Sequence, residues 1–446
     1  MKILIAGAGN VGFHIAKLLV HEHHDITLID LDDDVLNYAG LHLDVETMHG
    51  DATSIKTLRD AGTPKARLFL AVTTSEKTNI VAALLAKRLG AQQTIARIKN
   101  EEYLVEEQQQ VFKSLGIDHV ISTITLAAQE IYRLLKQSSF TDIFDFEKGK
   151  LSLIGITLDN TSRMVDFSLK EVQERNQYAN FRSVCILRGH KSIVPNGDTV
   201  LRRRDHLYII SRKEDLDNVV EVMGKQLKKI KNVMLIGMTD TCLKTAELLE
   251  KEYNVVIVGK DRDRCKLFAE TLESSLVING NPTDTDLLKS EGLSNMDAFI
   301  ALTESSETNI LASLMAEECG VYKTIAMVDN VEYIHLSQNI GVDTLINRKL
   351  IAANNIFRHI RQGKIEAIAS LHGVEAEVIE FIISRESKIT KHPLRNLKLP
   401  KNSIIGGVIR NDRAFIPDGD CQLAKGDRVI VFAQYPDISQ IERIFR

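Results

Sequence analysis

Short apolar runs alternate with amphipathic stretches along this chain. In the first 122 residues the runs are KILIA, ITLID, ETMHG, LFLAV, TIARI and HVIS. Between them lie segments such as NIVAALLAKRLG, where apolar residues recur every three or four positions. That spacing predicts helices, and strands alternating with helices of this size predict βαβ units in a parallel sheet. Six such strands make a doubly wound α/β domain. From about residue 140 to 225 the pattern changes. The strand-like runs LSLIGITL, RSVCILR and HLYIIS surround one short helical segment near SLKEVQE. PNGD reads as a hairpin turn between strands, which gives a small α+β domain.

The whole pattern then occurs again. GDATS at Gly50 returns as GNPTD at Gly280, TNIVAALLAKRLG as TNILASLMAEECG, and TIARIKNEEY as TIAMVDNVEY, all 230 residues later. Further on, PNGDTVLRRRDHLYII pairs with PDGDCQLAKGDRVIVF at a shift of 222, so the second copy is eight residues shorter before that point. The chain is a tandem pair of two-domain units. The expected domains are 1–122, 140–225, 231–348 and 365–446, with the junction near the basic run KQLKKIK, a solvated helix end.

Composition narrows the picture only slightly. Apolar content of 44%, charge of 26% and a net charge of −4 describe ordinary globular material with no bias towards nucleic acid. No apolar run approaches the roughly 18 residues of a membrane span, and the apolar start breaks at Asn10 as a strand entering a turn. A cytoplasmic protein is expected, with any membrane role supplied by a partner. The five cysteines lie far apart with no C-x-x-C pair, which predicts reduced, packed thiols.

The candidate chemistry sits at the start. GAGNVG, Gly7 to Gly12, follows the first strand, opens the first helix, and precedes a second strand that ends in Asp30. This is the setting of the dinucleotide fingerprint. Gly7 permits the tight turn, Gly9 lets a pyrophosphate approach the backbone, and Gly12 lets helix and strand pack closely. The N–H groups around Ala8, Asn10 and Val11 would face the phosphates at the helix N-terminus. Asp30, 18 residues beyond Gly12, would accept from a ribose 2′-hydroxyl and repel a 2′-phosphate. That favours NAD over NADP without separating NAD from ATP. Other candidates lie at strand ends on the same edge: Asp51, Ala52 and Thr53 after the third strand, Thr73 and Thr74 after the fourth. Thr53 is either a cap for the next helix or a ligand contact, and Asn79, opening the helix after the fourth strand, carries the same ambiguity. Arg97 stands in an otherwise apolar strand, a costly position unless a phosphate or carboxylate pairs with it.

The second copy lacks these features together. Gly9 maps to Thr239, Gly12 to Cys242, Asp30 to Lys260, Thr74 to Glu304 and Arg97 to Met327. The apolar frame survives while the polar grip does not. Copy one is expected to bind the ligand and copy two to serve as a structural partner.

GAGNVG, Asp30, GDAT, TTSEKTNIVAALLAKRLG and TIARIKNEEY together resemble the RCK or KTN domain, which regulates potassium conductance. Two such domains, each followed by a small C-terminal domain, resemble the Trk potassium-uptake regulatory subunits, and the resemblance spans essentially all 446 residues. It implies a tandem duplication of a Rossmann-like doubly wound domain with an α+β RCK C-terminal domain. It further implies a non-enzymatic, peripheral protein on the inner face of the membrane. The family forms a homotetramer, a ring of eight Rossmann units beneath a membrane potassium-transporting subunit. It binds NAD(H), and in some members ATP or ADP, and ligand exchange gates transport. Carried over by motif, the contacts would be Gly7 to Val11, Asp30, Thr73, Thr74 and Arg97.

An NAD-dependent oxidoreductase is the alternative. It would need an acid or base beside the nicotinamide and a second substrate pocket. His206 and His359 stand alone as satisfied core or surface residues, and His21 to His24 suit a helix C-terminus without forming a metal motif. No Walker lysine or nucleophile elbow is present. A DNA regulator is disfavoured by the acidic balance and the lack of a helix-turn-helix; LRRR, Leu201 to Arg204, reads as a solvated hairpin.

Overall fold

A computed structural model describes the chain except residues 21–23, 137, 139, 159–161, 176–179, 190, 225–227, 330–332, 334–341, 343, 361–364, 372, 373, 375 and 446. His21 to His23 and the start of KQLKKIK therefore lie outside the described residues, as does the His359 side chain.

The first parallel sheet contains β1 (Lys2–Ala6), β2 (Asp25–Asp30), β3 (Glu46–His49), β4 (Leu68–Ala71), β5 (Gln93–Arg97) and β6 (His119–Ile121), in the order β3-β2-β1-β4-β5-β6. Helices α1 (Asn10–Val20), α2 (Asp33–His42), α3 (Ile55–Asp60), α4 (Glu76–Leu89) and α5 (Glu106–Leu115) make the crossovers. Strand order reverses at β1 and β4, which opens a crevice at their C-terminal ends. Side chains alternate across each strand, so Ile3 and Ile5 face one helical layer while Leu4 and Ala6 face the other. On that second face Ala82, Ala83 and Ala86 are buried, and their small side chains bring α4 close to the sheet.

The second copy repeats this architecture. β12 (Asn232–Ile236), β13 (Asn254–Gly259), β14 (Leu276–Asn279), β15 (Ala298–Ala301), β16 (Lys323–Met327) and β17 (Thr344–Ile346) form a parallel sheet in the order β14-β13-β12-β15-β16-β17. Its helices include α9 (Asp240–Leu249), α10 (Arg262–Thr271), α11 (Thr285–Ser290) and α12 (Ser306–Glu318). Each Rossmann sheet leads to a five-stranded antiparallel sheet. The first holds β7 (Asp142–Phe146), β8 (Leu151–Thr157), β9 (Phe181–Arg188), β10 (Lys191–Ile193) and β11 (His206–Arg212), with helices α7 (Leu169–Arg175) and α8 (Leu216–Val222). Its counterpart holds β18 (Ile365–Ser370), β19 (Ala376–Ile382), β20 (Ser403–Arg410), β21 (Arg413–Phe415) and β22 (Arg428–Gln434). Apolar faces of both sheets share one core, with Tyr208 and Ile210 beside Val378, Ile430 and Phe432.

PNGD is not a hairpin turn between its flanking strands. β10 pairs with β9, and so does β11, so the segment crosses from one side of β9 to the other. Asn196 closes it locally by accepting from Asp198 N at 3.1 Å. His206 is a satisfied core residue: Nδ1 lies 2.9 Å from Thr157 Oγ1 and Nε2 lies 3.2 Å from Asp142 Oδ2.

The chain divides into two compact units that interleave its halves. One comprises residues 1–127 with 348–360, the other 128–347 with 361–446. In the first, helix Arg348–Ile360 places Ala353 and Ile356 in the same core as Ile15, Leu19 and Ile95. In the second, α6 (Thr123–Lys136) is held at its C-terminal end: Tyr132 donates to the Glu252 carboxylate and Lys136 Nζ lies 3.1 Å from it. Lys323 is buried there as well, donating to the Phe140 carbonyl at 2.7 Å and to Thr344 Oγ1 at 2.8 Å. A buried ammonium is costly without such partners.

Candidate functional site

The three glycines of the first turn have three different surroundings. Gly7 has φ +105°, a conformation that glycine adopts without strain, and a β-carbon there would lie 2.8 Å from Thr73 N. A β-carbon at Gly12 would fall 1.8 Å from the Gly7 carbonyl oxygen, so α1 can pass over the turn only without one. Gly9 is exposed, and a β-carbon there would meet nothing within 4 Å. The fold itself does not need a glycine at that position. Beyond it α1 begins at Asn10, and the first-turn N–H groups of such a helix have no partners within the helix.

The remaining candidates line the same edge. Asp30 ends β2, and its carboxylate braces the turn, accepting from Ala8 N at 2.6 Å and Leu31 N at 2.8 Å. Asp51 is exposed and accepts from both Thr53 N and Thr53 Oγ1 at 2.8 Å. Those two bonds hold its carboxyl below the usual range. Thr53 does not cap the next helix: Ser54 does, because Thr53 is already committed to Asp51. Ala52 is buried in the core beside Ala6 and Met48. Thr74 is exposed at the end of β4. Thr73 is gripped by Asn79, whose Oδ1 accepts from Thr73 N at 2.8 Å and Thr73 Oγ1 at 2.7 Å. Asn79 does not open its helix. Ser75 is the cap, and Asn79 is buried one turn later, donating to the carbonyls of Thr73 and Arg97 at 3.1 and 2.9 Å. It clasps the ends of β4 and β5 together.

Arg97 ends β5 half-buried, with no hydrogen bond or ion pair to its guanidinium among the described residues. Burial, and then the charge of Arg348, push its pKa below the ordinary guanidinium value. Sequence reading missed Arg348, since only helix packing brings a residue 251 positions away to this strand end. It missed His14 too. The Nε2 atom of His14 is buried without a partner on α1, and burial, Lys17 and Lys349 bring its pKa down to about 4.

The second turn carries larger side chains. Met238, at the Ala8 position, lies across Gly259 at the end of β13: a β-carbon there would meet Met238 Cε at 2.1 Å. Arg264 donates to the Met238 carbonyl at 2.9 Å and to Asp240 at 2.7 Å, closing over the start of α9. Thr239 caps α9 through Cys242 N at 3.2 Å, and Cys242 is fully buried where Gly12 stands in copy one. Lys260 and Glu304 are exposed. Two polar features are reproduced. Asn281 Oδ1 accepts from Thr283 N at 3.3 Å and Thr283 Oγ1 at 3.0 Å, as Asp51 does from Thr53. The asparagine clasp recurs as well: Asn309 Oδ1 accepts from Thr303 Oγ1 at 2.7 Å, and Asn309 Nδ2 donates to the Met327 carbonyl at 2.8 Å.

Two doubly wound sheets, each followed by an antiparallel one, define a duplicated Rossmann protein. Its segments match known families. Residues 3–123 and 233–348 match the TrkA-N domain, and residues 153–224 and 378–446 match the TrkA-C domain. The chain is 33% identical over 451 residues to a Trk system potassium uptake protein TrkA homolog of Archaeoglobus fulgidus, covering 100% of both. It is 31% identical over 454 residues to the Trk system potassium uptake protein TrkA of Haemophilus influenzae, covering 100% of this chain and 99% of that one. Among solved structures, the GsuK RCK domain aligns with 100% of this chain and 94% of its own at TM-score 0.60 and 16% identity. The GsuK channel bound to NAD aligns with 100% and 78% at TM-score 0.60 and 15% identity. The chain belongs to the TrkA family of Trk potassium-uptake regulatory proteins.

Proposed function

We propose that the protein gates a Trk-type potassium transporter in response to an adenine nucleotide held in the first Rossmann crevice. One observation carries the ligand assignment. Gly9 leaves open space above the turn that no internal packing requires, and close approach of a pyrophosphate does require it. The start of α1 supplies N–H donors and a partial positive charge to the phosphates. Asp30 holds the turn through Ala8 N and presents its carboxylate at the ribose position. Asp51 and Thr53 flank the adenosine side of the edge, Thr74 lies across β1 from them, and Arg97 supplies the charge opposite the phosphates. NAD(H) and ADP or ATP share the groups this crevice would recognise, and a structural neighbour is titled as a channel bound to NAD.

A ligand moves a conformational equilibrium only through its different affinity for two states, and about 1–3 kcal/mol per site is enough to be felt. No described helix is long and apolar enough to cross a membrane. The reading therefore places the protein beneath a membrane potassium-transporting subunit, as a homotetramer with eight Rossmann units in a ring. It assigns no catalytic residue: His206, a lone histidine of the sequence, is consumed by core partners.

Gly9→Val is the test. The β-carbon has room, so the fold should persist by circular dichroism, while the branched side chain fills the phosphate approach. Titration calorimetry should show NADH and ADP affinity falling by about tenfold or more. Potassium uptake in cells carrying the variant should lose its response to nucleotide supply. Unchanged affinity would reject the crevice as the site.

A further inference from the structure

We infer that the turn Arg202–Arg204 of the first small domain is a docking surface for anionic lipid headgroups. The inference goes beyond the nucleotide reading and does not depend on it.

The duplication carries it. Each small domain enters its last strand through the same clasp. Asp205 is fully buried and accepts from Arg188 Nε and Arg188 Nη2 at 2.7 Å each. Asp427 accepts from the same two atoms of Arg410 at 2.8 and 2.7 Å. Asp205 also accepts from Arg202 N at 2.7 Å, as Asp427 does from Ala424 N at 2.7 Å. Arg204 N donates to the Leu158 carbonyl at 2.8 Å, and Gly426 N to the Ile383 carbonyl at 2.8 Å. This clasp needs left-handed backbone just before the aspartate: φ is +67° at Arg204 and +92° at Gly426. Glycine adopts that conformation freely, and a residue with a side chain adopts it only with strain. The second copy has the glycine. The first holds an arginine where the fold is better served without one.

Nothing described within the protein offsets that strain. Arg202, Arg203 and Arg204 are all exposed, and their guanidinium groups have no hydrogen bond or ion pair among the described residues. Asp205 is already joined to Arg188. Asp166 lies on the adjoining segment, where its amide donates to the Leu201 carbonyl at 2.8 Å, and makes no ion pair with the three arginines among the described residues. Leu201 is fully buried and anchors the turn. Three adjacent cations therefore stand unneutralised on a braced turn, against the single Lys425 of the second copy. A surface dense in phosphates complements them, because guanidinium forks pair with phosphate oxygens. Cytoplasmic loops of membrane proteins are themselves rich in lysine and arginine and repel such a turn, while the anionic leaflet around them attracts it. The lipid is the partner this charge fits.

Cosedimentation of the full chain with vesicles tests this. Vesicles of phosphatidylcholine with about a third phosphatidylserine should bind the chain, and vesicles of phosphatidylcholine alone should not. Added salt should weaken the binding. Arg204→Gly installs the second copy's own residue. It should raise the midpoint of thermal unfolding by about 2 °C as the strain is removed. It should also lower affinity for the anionic vesicles by about fivefold. Arg203→Gln leaves the backbone conformation alone and should lower that affinity by about the same factor. Higher stability together with weaker binding shows that the loss does not come from unfolding. Parent-like vesicle binding by Arg204→Gly overturns the inference, and so does equal binding to neutral vesicles. Binding that appears only when a transporter subunit is reconstituted in the vesicles overturns it in favour of a protein partner. Displacement by inorganic phosphate at constant ionic strength overturns it in favour of a free-phosphate site. A melt no higher than the parent's removes the strain on which the inference stands. Gly9→Val should keep parent-like vesicle binding, so the nucleotide reading and this one fail separately.

Discussion

The two Rossmann domains share a frame and differ at one edge. Both turns begin with a glycine at strongly positive φ, +105° at Gly7 and +114° at Gly237. Both clasp their fourth and fifth strands with a buried asparagine at nearly the same distances. Yet the first turn leaves room over Gly9, while in the second Met238 packs on Gly259 and Arg264 donates to the Met238 carbonyl. Residues required by the fold persisted through the duplication. Residues assigned to the proposed ligand alone, such as Gly9 and Asp30, are replaced in the second copy by Thr239 and Lys260. A duplicated protein thus separates the two kinds of requirement without any alignment of relatives.

The sharpest way to break this comparison is to exchange the residues that differ. Gly12→Cys installs the second copy's residue where a β-carbon has only 1.8 Å to the Gly7 oxygen. It should destabilise the first domain by about 3 kcal/mol, read as a lower onset of thermal unfolding. A melt indistinguishable from the parent would show that α1 is free to move off the turn.

Next in size is a pH effect confined to one copy. His14 is neutral in the folded state, with its pKa lowered from 6.5 to about 4 by burial, then by Lys17 and Lys349. The unfolded chain binds this proton near pH 6.5 and the folded chain resists until near 4. Stability is therefore lost as pH falls through that window, with no further loss below it, and the total is about 3 kcal/mol. Its counterpart Lys244 pairs with Glu247 at 2.9 Å. His14→Gln should flatten this window in urea melts taken at pH 7 and pH 4.5.

A smaller effect sharpens the shared frame. Asn79→Ala and Asn309→Ala each strand backbone groups at the ends of two strands, and each should cost about 2 kcal/mol. The costs should match, while ADP affinity should fall only for Asn79→Ala. Unequal costs would mean the clasp has drifted with the site. Asp30→Ala should be milder in stability, losing the bond to Ala8 N, and should lower adenine-nucleotide affinity by about tenfold in calorimetry. The reverse exchange, Lys260→Asp with Thr239→Gly, should create no binding at all, because Met238 still packs on Gly259 and Arg264 still holds the Met238 carbonyl.

Much of this was legible in the sequence because it is local. Strand–turn–helix order follows from apolar period, and the duplicated fold class from repeated motifs at one offset. The antiparallel connection at PNGD was not legible. A turn signal marks where a chain bends and leaves open which strand it pairs with afterwards. Thr53 and Asn79 were ambiguous for a related reason: short polar residues at strand ends suit caps, ligands and clasps alike, and only three-dimensional partners decide among them. Arg348 and the packing of Met238 on Gly259 depend on tertiary structure, which leaves no periodic trace.

Lys323 has a consequence for how such a chain can evolve. Its ammonium, fully enclosed, grips the backbone just ahead of the first small domain, while Tyr132 and Lys136 reach Glu252 of the second repeat. Cutting the gene between repeats would strand a lysine in one product and a bare carbonyl in the other. Separated repeats would each have to satisfy those groups anew, so the pairings favour keeping both repeats in one chain.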